Sequence, residues 1–266
     1  MKKFGFIGAG KMAGAIIHGI LASGKVSAAE VACSCGNDDT GKKLSAETSI
    51  ALADSLESLF AQSETIVAAC KPQQLKDVAA AGKSAKSKVL VSILAGTSIA
   101  RLRECFPNVG KIVRVMPNMP AQISLGISCY APESPLAEDE NKTVDTVLSA
   151  IGEYMEIEEA RLDAVTALSG SGPGYIFEFA AAMIAGAKEI GFSDEEAKKL
   201  VERTLVGSAV LLEKSPLSAD ELRIAVSSPG GTTLAALDVF EKSGFRKTVA
   251  DALKAAEKRS KELSKL

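Results

Sequence analysis

Lys3-Phe-Gly-Phe-Ile-Gly-Ala-Gly-Lys-Met-Ala-Gly-Ala-Ile-Ile17 is the stretch of this chain that decides its fold. Residues 4–7 form a short, mainly apolar run that contains Gly5 and is followed by Gly8. Such a run predicts a buried strand. The pattern G-x-G-x-x-A follows from Gly8 to Ala13, and the apolar residues after it recur at helical spacing. A strand, a tight glycine turn and a helix in this order predict a dinucleotide-binding site.

Backbone access explains why such a turn can bind a diphosphate. Gly8 permits the tight turn, Gly10 leaves room for a pyrophosphate, and the small Ala13 lets the helix pack closely on the strand. The first turn of the helix adds unpaired N–H groups and the positive end of its dipole. A glycine turn without a ligand is the weaker alternative. The predicted cofactor contacts in this loop are Gly8, Ala9, Gly10, Lys11 and Met12.

The composition limits the classes of protein to which the chain can belong. Its 266 residues suffice for one large or two ordinary domains, and 47% hydrophobic and 24% charged residues are typical of a globular protein. A net charge of −2 argues against a nucleic-acid partner. Neither a signal peptide nor a membrane span is predicted, because glycines interrupt the first strand and the longest apolar helix, near residues 175–187, contains Glu178. We therefore expect a cytoplasmic protein without a membrane partner.

Five cysteines, at positions 33, 35, 70, 105 and 129, are scattered over predicted strands and helix ends. Cys33 and Cys35 share one face of a strand, but no histidine or further cysteine lies nearby in the sequence to complete a zinc site. Buried free thiols are therefore favoured over redox chemistry, and no metal site is predicted.

The end of the second predicted strand, residues 31–35, bears on the choice of cofactor. In NAD-binding folds, an acidic residue about 20 residues beyond the glycines bonds the ribose 2′-hydroxyl. Here the strand tip carries no carboxylate, and Asp38 and Asp39 lie just past it. This favours NADP over NAD, although no arginine is present there to bind a 2′-phosphate. Cys35 and Asn37 at this tip are predicted cofactor contacts.

Alternating strands and helices continue to about residue 157. The predicted strands are residues 4–7, 31–35, 49–51, 65–69, 89–94, 112–116, 126–131 and 154–157. This alternation predicts an α/β fold with a doubly wound sheet. Loops at the carboxyl ends of such strands face ligands, so Ala69, Lys71, Pro72, Met116 and Asn118 are further predicted cofactor contacts. For Lys71, a solvated loop charge is an equal alternative.

The chain changes character near residue 160, and the remainder is predicted to be consecutive helices. Residues 175–190 are apolar on nearly all sides, and a helix without a polar face is enclosed. A dimer interface is the preferred explanation, and the central helix of a monomeric bundle is the alternative. The predicted domains are a Rossmann-type dinucleotide-binding domain at residues 1–158 and an all-α substrate-binding and dimerisation domain at residues 159–266.

Two glycine-rich breaks interrupt the helical half. Leu168-Ser-Gly-Ser-Gly-Pro-Gly174 precedes the apolar helix, and Ser227-Ser-Pro-Gly-Gly-Thr-Thr233 precedes another predicted helix. A Gly-Gly-Thr-Thr opening leaves several helix N–H groups free to bind an anion, such as a substrate carboxylate. Simple helix capping needs only one polar residue, so a binding role is favoured over capping.

The polar residues of the chain limit which class of substrate could accept a hydride from the cofactor. His18, the only histidine, is predicted to lie mid-helix on an outer face, which disfavours a histidine-dependent 2-hydroxy-acid reaction. β-Hydroxyacid dehydrogenases have a similar layout but need a lysine on the long helix, which here has none before Lys188. An imine can bind already protonated and needs mainly orientation, for which a hydroxyl such as that of Thr233 suffices.

Along nearly its whole length, the chain resembles the pyrroline-5-carboxylate reductases. The matching segments are Phe6-Ile-Gly-Ala-Gly-Lys-Met-Ala13, Lys71-Pro72, Met116-Pro-Asn118, Leu162-Asp-Ala-Val-Thr-Ala-Leu-Ser-Gly-Ser-Gly-Pro173 and Val226-Ser-Ser-Pro-Gly-Gly-Thr-Thr233, followed by Ala236-Leu237. The segments that begin at Leu162 and at Val226 are highly specific for this family. The glycine segment that begins at Phe6 would not be specific by itself.

The resemblance implies reduction of 1-pyrroline-5-carboxylate, a cyclic imino acid, to L-proline, with NADPH as the expected cofactor and NADH possible. It implies that backbone N–H groups of the late glycine loop bind the substrate carboxylate and that the Thr233 hydroxyl faces the imine nitrogen. The implied substrate contacts are Ser228, Gly230, Gly231, Thr232 and Thr233, with Thr233 as the catalytic residue. It further implies a homodimer through the helical half and, in many members, a ring of dimers.

Some positions depart from the pattern of that family. Met119 stands where threonine is common, and Ala225 stands where aspartate or asparagine often precedes the Val-Ser-Ser-Pro segment. Leu56 lies close to a position where the family often has a ribose-contacting asparagine, and Glu159 matches an acidic position but is expected to be solvated. Two other functions stay open: a dehydrogenase of a small β-hydroxy acid, and a non-catalytic NADP-sensing module.

Overall fold

A computed structural model describes residues 1–36 and 38–264, and its strands form one eight-stranded sheet. The strands are β1 (Lys2–Ile7), β2 (Val31–Ser34), β3 (Ala51–Leu52), β4 (Ser63–Ala68), β5 (Val89–Ser92), β6 (Lys111–Met116), β7 (Gly126–Pro132) and β8 (Gly152–Glu156). Their order in the sheet is β3-β2-β1-β4-β5-β6-β7-β8. The predicted α/β class with a doubly wound sheet is confirmed, and each predicted strand is present within a few residues of its expected position.

The direction of the strands fixes where a ligand can bind. Strands β1 to β6 pair in parallel, and the chain reverses its progress across the sheet at β1, between β2 and β4. At such a topological switch point the loops after the strands diverge and leave a crevice. Strand β7 runs antiparallel to β6, with Arg114 opposite Ala131, which the alternating pattern did not indicate. Its short connection explains the direction, because a parallel neighbour needs a long crossover.

Seven α-helices of the described residues accompany the sheet. They are α1 (Lys11–Ala22), α2 (Thr40–Thr48), α3 (Leu56–Gln62), α4 (Leu75–Gly82), α5 (Ile99–Cys105), α6 (Glu138–Leu148) and α7 (Leu162–Val165). Two buried apolar clusters result, one containing residues of α1, α2 and α6 and the other residues of α3, α4, α5 and α7. Successive side chains of a strand point to opposite faces, so Phe4 and Phe6 join the first cluster and Ile7 joins the second.

Five further helices complete the described chain. They are α8 (Gly172–Glu189), α9 (Asp194–Lys214), α10 (Ala219–Ala225), α11 (Thr232–Lys242) and α12 (Phe245–Leu263). By contacts, one compact unit comprises Met1–Ser171 with the chain end from Ala256, and a second comprises Gly172–Ala255. The functional boundary expected between residues 158 and 159 stays a prediction.

The helix α8 has no buried residue in the single chain, although its sequence is apolar on nearly all sides. Ile176 and Phe177 are 55% and 57% exposed, and large apolar side chains of α9 and α11 are also exposed. An apolar surface of this extent is typical of a protein interface. Within the described residues, no helix combines the length and the hydropathy that a membrane crossing requires.

Candidate active site

The loop between β1 and α1 requires glycine at its first position. Gly8 has a φ of +100°, which side-chain-bearing residues rarely adopt. Its N–H donates to the carbonyl oxygen of Ser34 at 2.7 Å, and a Cβ atom here would lie 2.8 Å from the carbonyl oxygen of Ala69. The glycine therefore lets the ends of β1, β2 and β4 converge.

Gly10 has a different role in the same loop. It precedes α1 with an ordinary extended conformation (φ −74°, ψ −177°), no side chain caps the helix, and a Cβ here would meet no atom within 4 Å. Gly14 is the first residue whose N–H donates within the helix, to the carbonyl oxygen of Gly10 at 2.8 Å. The N–H groups of Lys11 and Met12 thus lack intrahelical acceptors at an open helix start, an arrangement that fits a diphosphate.

Loops after the neighbouring strands lie alongside this helix start. The N–H of Ala69 donates to the carbonyl oxygen of Ile7 at 2.9 Å, which holds the loop after β4 against the end of β1. Lys71 is exposed, its N–H donates to Gln74 Oε1 at 2.9 Å, and Pro72 begins a 3₁₀ turn. Cys35 is half-buried at the end of β2, and the predicted contact Asn37 lies outside the described residues.

The end of β6 carries the last two predicted cofactor contacts. Asn118 uses its side-chain Oδ1 to accept a hydrogen bond of 3.0 Å from the N–H of Ile127. Asn118 therefore fixes the connection from β6 to β7 through its oxygen. Met116 is half-buried, and its methyl group fills the space beside Gly170, where an added Cβ would collide with it.

The late glycine-rich loop belongs to the second compact unit. Gly231 precedes α11 without a side-chain cap, and its own N–H donates to the carbonyl oxygen of Ser228 at 2.9 Å. Gly230 has a φ of +71°, so the turn requires glycine there. The first N–H of α11 that donates within the helix is that of Ala235, to the carbonyl oxygen of Gly231 at 3.3 Å. The N–H groups of Thr232 and Thr233 thus share the free helix start that the sequence predicts.

The polar side chains of this loop are accessible. Ser228, Gly230 and Thr232 are exposed, and Gly231 and Thr233 are half-buried. The hydroxyl of Thr233 makes no hydrogen bond with any other described residue. A free helix start beside an unengaged hydroxyl can bind a small carboxylate and orient a second polar group of the same molecule.

The single histidine lies where the sequence predicts. His18 is exposed on α1, and its Nε2 is 3.8 Å from Glu47 Oε2. It is separated along the helix from the loop at Gly10 by about two turns. His18 therefore forms part of a solvent-facing helix surface.

Comparison with known proteins identifies the family. The profile for pyrroline-5-carboxylate reductase dimerisation matches residues 159–263, and the profile for NADP oxidoreductase coenzyme F420-dependent proteins matches residues 3–96. The pyrroline-5-carboxylate reductase of Pseudomonas aeruginosa is 36% identical over 265 residues, which are 98% of this chain and 97% of that protein. The chain belongs to the pyrroline-5-carboxylate reductase family.

Solved structures of this family agree with the fold. The pyrroline-5-carboxylate reductase of Coxiella burnetii superposes with a TM-score of 0.88 at 28% identity, over 100% of this chain and 99% of that one. The Plasmodium falciparum enzyme, solved with NADP bound, has a TM-score of 0.86 at 31% identity, over 99% and 98% of the two chains. This reductase is therefore an oxidoreductase, and its dimerisation segment indicates a homo-oligomer.

The sequence did not predict a charge cluster that surrounds a buried arginine of this reductase. Arg114 on β6 is 6% exposed, with Nη1 at 3.3 Å from Glu159 Oε1 and Nη2 at 3.5 Å from Asp163 Oδ1. Glu159 Oε1 also accepts the N–H of Ile99 at 2.7 Å, which caps the start of α5. Asp163 Oδ1 accepts the hydroxyl of Ser260 on α12 at 2.8 Å. One guanidinium thus joins segments that are remote in sequence.

The expectation that Glu159 is simply solvated is wrong, because its carboxylate serves both Arg114 and the start of α5. One signal was available in the sequence: Arg114 interrupts the apolar strand segment Lys-Ile-Val-Arg-Val-Met. A cation inside such a run must find buried anionic partners. The pattern alone does not say which carboxylates they are.

The cysteines offer a chemical test of where the cofactor lies. Cys33, Cys105 and Cys129 are buried, whereas Cys35 and Cys70 are half-buried, and all five are free thiols. Burial raises the pKa of Cys70 to about 11, so only about one Cys70 in 1,000 is a thiolate near pH 8. We expect iodoacetamide at that pH to modify Cys35 first, as measured by peptide mass spectrometry.

If Cys35 contacts the cofactor, saturating NADP⁺ will slow its alkylation several-fold. Free proline added at the same ionic strength is the control. Equal labelling of Cys35 with and without NADP⁺ would remove Cys35 from the predicted contacts.

Proposed function

We propose that this chain reduces the C=N bond of 1-pyrroline-5-carboxylate to L-proline, with NADPH as the preferred cofactor and NADH as a possible substitute. Membership of the reductase family supports the reaction, and the NADP bound in the Plasmodium falciparum relative supports the cofactor. The observation that carries the proposal is the uncapped start of α11, with free N–H groups beside the free hydroxyl of Thr233. When bound, NADPH supplies the hydride.

The late glycine loop is proposed to hold the substrate carboxylate. The N–H groups at the start of α11 have no intrahelical acceptor and carry the positive end of the helix dipole, so they suit a carboxylate better than a neutral group. Hydrogen bonds to a charged acceptor are stronger than those between neutral groups. The proposed substrate-binding residues are Ser228, Gly230, Gly231, Thr232 and Thr233.

Thr233 is proposed to orient the ring. A protonated imine nitrogen carries an N–H that can donate to the Thr233 hydroxyl oxygen, which fixes the face of the ring that accepts the hydride. The substrate brings its own proton, so the site needs no general acid, in agreement with the position of His18 outside the candidate loops.

The cofactor is proposed to lie across the carboxyl ends of β1, β2, β4 and β6. The free N–H groups after Gly10 would hold the diphosphate, and the loops after the other strands would hold the two nucleosides. The proposed cofactor contacts are Gly8, Ala9, Gly10, Lys11, Met12, Cys35, Asn37, Ala69, Lys71, Pro72, Met116 and Asn118. Of these, Asn118 has its side-chain oxygen already engaged with Ile127, so its amide nitrogen would make the contact.

The direct experiment measures the loss of NADPH absorbance with 1-pyrroline-5-carboxylate. We expect turnover with NADPH, slower turnover with NADH, and no reduction of NADP⁺ by a small β-hydroxy acid. Absence of turnover with both cofactors would refute the proposed function. Tight NADPH binding without turnover would support a non-catalytic sensing module instead.

Substituting Thr233 tests the orienting role. Thr233→Ala is expected to lower kcat about 10-fold with a smaller change in the KM of the substrate, because the carboxylate contacts are made by the backbone. Thr233→Ser keeps the hydroxyl and is expected to retain most activity. If both variants match the parent enzyme, the hydroxyl has no role and the backbone carboxylate site stands alone.

The assembly is proposed to be a homodimer formed through residues 159–266, with residues 1–158 binding the cofactor and rings of dimers as a further level. The exposed apolar residues of α8 support an interface there. Light scattering should give twice the 27.6 kDa mass of one chain or a whole-number multiple of that dimer mass. A monomer at micromolar concentration would exclude this assembly. A cytoplasmic location remains a prediction from the sequence.

A further inference from the structure

Two adjacent lysines near the start of α2 have different surroundings. Lys42 is paired, with its Nζ 3.5 Å from Asp39 Oδ1. Lys43 has no ion pair among the described residues and lines a groove of about 570 Å³ together with Gly10 and Lys11. Neighbouring residues on a helix point in directions about 100° apart, so only one of the two lysines faces this groove.

The carboxylates of the same turn are engaged within α2. Asp38 Oδ1 accepts the N–H of Thr40 at 3.0 Å and also accepts the Thr40 hydroxyl. These bonds, with a smaller contribution from Lys71, lower the pKa of Asp38. Asp38 therefore stabilises the start of α2 through Oδ1, and Asp39 lies 3.5 Å from Lys42 in an exposed pair. The bonds to Thr40 compete with a bond from Asp38 Oδ1 to a ribose hydroxyl, the contact that favours NAD.

Two cations without an ion pair in the described part of the chain line the groove that the glycine loop also lines. Lys11 at the start of α1 and Lys43 on α2 line this groove with no carboxylate partner among the described residues. Glu47, one helical turn after Lys43, also lines this groove, and its Oε2 lies 3.8 Å from His18 Nε2. An unpaired ammonium group suits an exposed dianion, for which it acts as a point charge.

We infer that Lys43 is the residue that recognises the 2′-phosphate of NADPH, with Lys11 as a second cation in the same groove. The inference rests on the proposed function for the identity of the cofactor. No arginine lies just after β2 to bind a 2′-phosphate, and Lys43 would provide the positive charge instead. Lys43 would then be the main determinant of the preference for NADPH over NADH. The adjacent Lys42 would not contact the 2′-phosphate.

Binding measurements on the full-length protein test this inference without relying on turnover. The affinities of NADP⁺, NAD⁺, 2′,5′-ADP and 5′-AMP are measured by titration calorimetry for the parent protein and for Lys43→Ala, Lys43→Arg and Lys42→Ala. Lys42→Ala is the matched control, because it removes the same charge one position away. Circular dichroism and melting temperature confirm that each variant is folded.

We expect Lys43→Ala to weaken NADP⁺ and 2′,5′-ADP about 10- to 100-fold and to change NAD⁺ and 5′-AMP less than about twofold. Lys43→Arg should keep most of the affinity for NADP⁺, and Lys42→Ala should resemble the parent protein. Added salt should weaken NADP⁺ binding less in Lys43→Ala than in the parent, because one charge contact is gone.

Equal losses for NADP⁺ and NAD⁺ in Lys43→Ala would overturn the inference, as would an equal effect of Lys42→Ala. The proposed reaction would stand in either case if 1-pyrroline-5-carboxylate is still reduced. Conversely, a Lys43-dependent preference for NADP⁺ in a protein that does not reduce this imine would support the inference and refute the reaction.

Discussion

Gly10→Asp is expected to abolish NADPH binding and leave the protein fully folded. The conformation at Gly10 is open to any residue, and a Cβ there would meet no atom within 4 Å, so the substitution creates no clash. A carboxylate would also be tolerated at a helix start. It would nevertheless occupy the place proposed for a diphosphate. Repulsion between unit charges about 4 Å apart amounts to about 4 kcal/mol at an effective dielectric constant of about 20, so we expect at least about a 100-fold loss of affinity.

Calorimetric titration with NADP⁺ and a thermal melt measure the two effects separately. Ala80→Asp is the charge-matched control, because Ala80 is exposed near the end of α4, and α4 ends at the edge of the sheet opposite the glycine loop. Gly10→Ala separates size from charge and should weaken binding less. Unchanged affinity in Gly10→Asp would show that the diphosphate does not bind at this helix start.

Gly8 provides an informative contrast to Gly10. Its positive φ and the nearby carbonyl oxygen of Ala69 make any side chain costly for the fold itself. Loss of cofactor binding in a Gly8 variant would therefore not distinguish a binding role from misfolding. The substitution at Gly10 is the sharper experiment.

Arg114→Met is expected to destabilise the protein by about 3 kcal/mol, the lower end of the cost of breaking a buried ion pair, because the Glu159 side chain is 34% exposed. Methionine fills much of the same space but leaves Glu159 and Asp163 without their cation. The start of α5 and the end of α12 both depend on these carboxylates. Urea unfolding at fixed protein concentration measures the change, and the melting temperature should fall by roughly 10 °C.

Arg101→Met is the matched control, since Arg101 pairs with Glu104 at 2.6 Å on the surface, with 49% of its side chain exposed. Such surface pairs contribute at most about 1 kcal/mol. Adding Glu159→Gln and Asp163→Asn to Arg114→Met should recover part of the stability, because neutral amides tolerate burial better than unpaired carboxylates. If Arg114→Met is no less stable than Arg101→Met, the cluster does not stabilise the fold.

Local patterns explain which features were predictable. The apolar run before Gly8 and the helical spacing after Ala13 depend only on neighbouring residues, and they gave the position of β1 and α1 correctly. The alternation that follows gave the doubly wound sheet in the same way. The direction of β7 was not predictable, because it depends on how the short connection after Asn118 folds back.

The same contrast holds for the candidate site. The free helix starts after Gly10 and Gly231 follow from glycines where a capping side chain would otherwise stand, so the sequence predicts them. The engagement of Asp38 by Thr40 and the difference between Lys42 and Lys43 depend on how α2 is oriented. No spacing rule supplies that orientation.

The sequence by itself determined the order of the elements, the two glycine loops and the reductase family, because periodicity, helix starts and turn residues act over a few positions along the chain. Only the tertiary structure decided that Arg114, Glu159, Asp163 and Ser260 form one cluster, since these residues are brought together across long stretches of chain. A buried charge takes whichever partner the fold places beside it, and that placement is a property of the packed chain rather than of any segment.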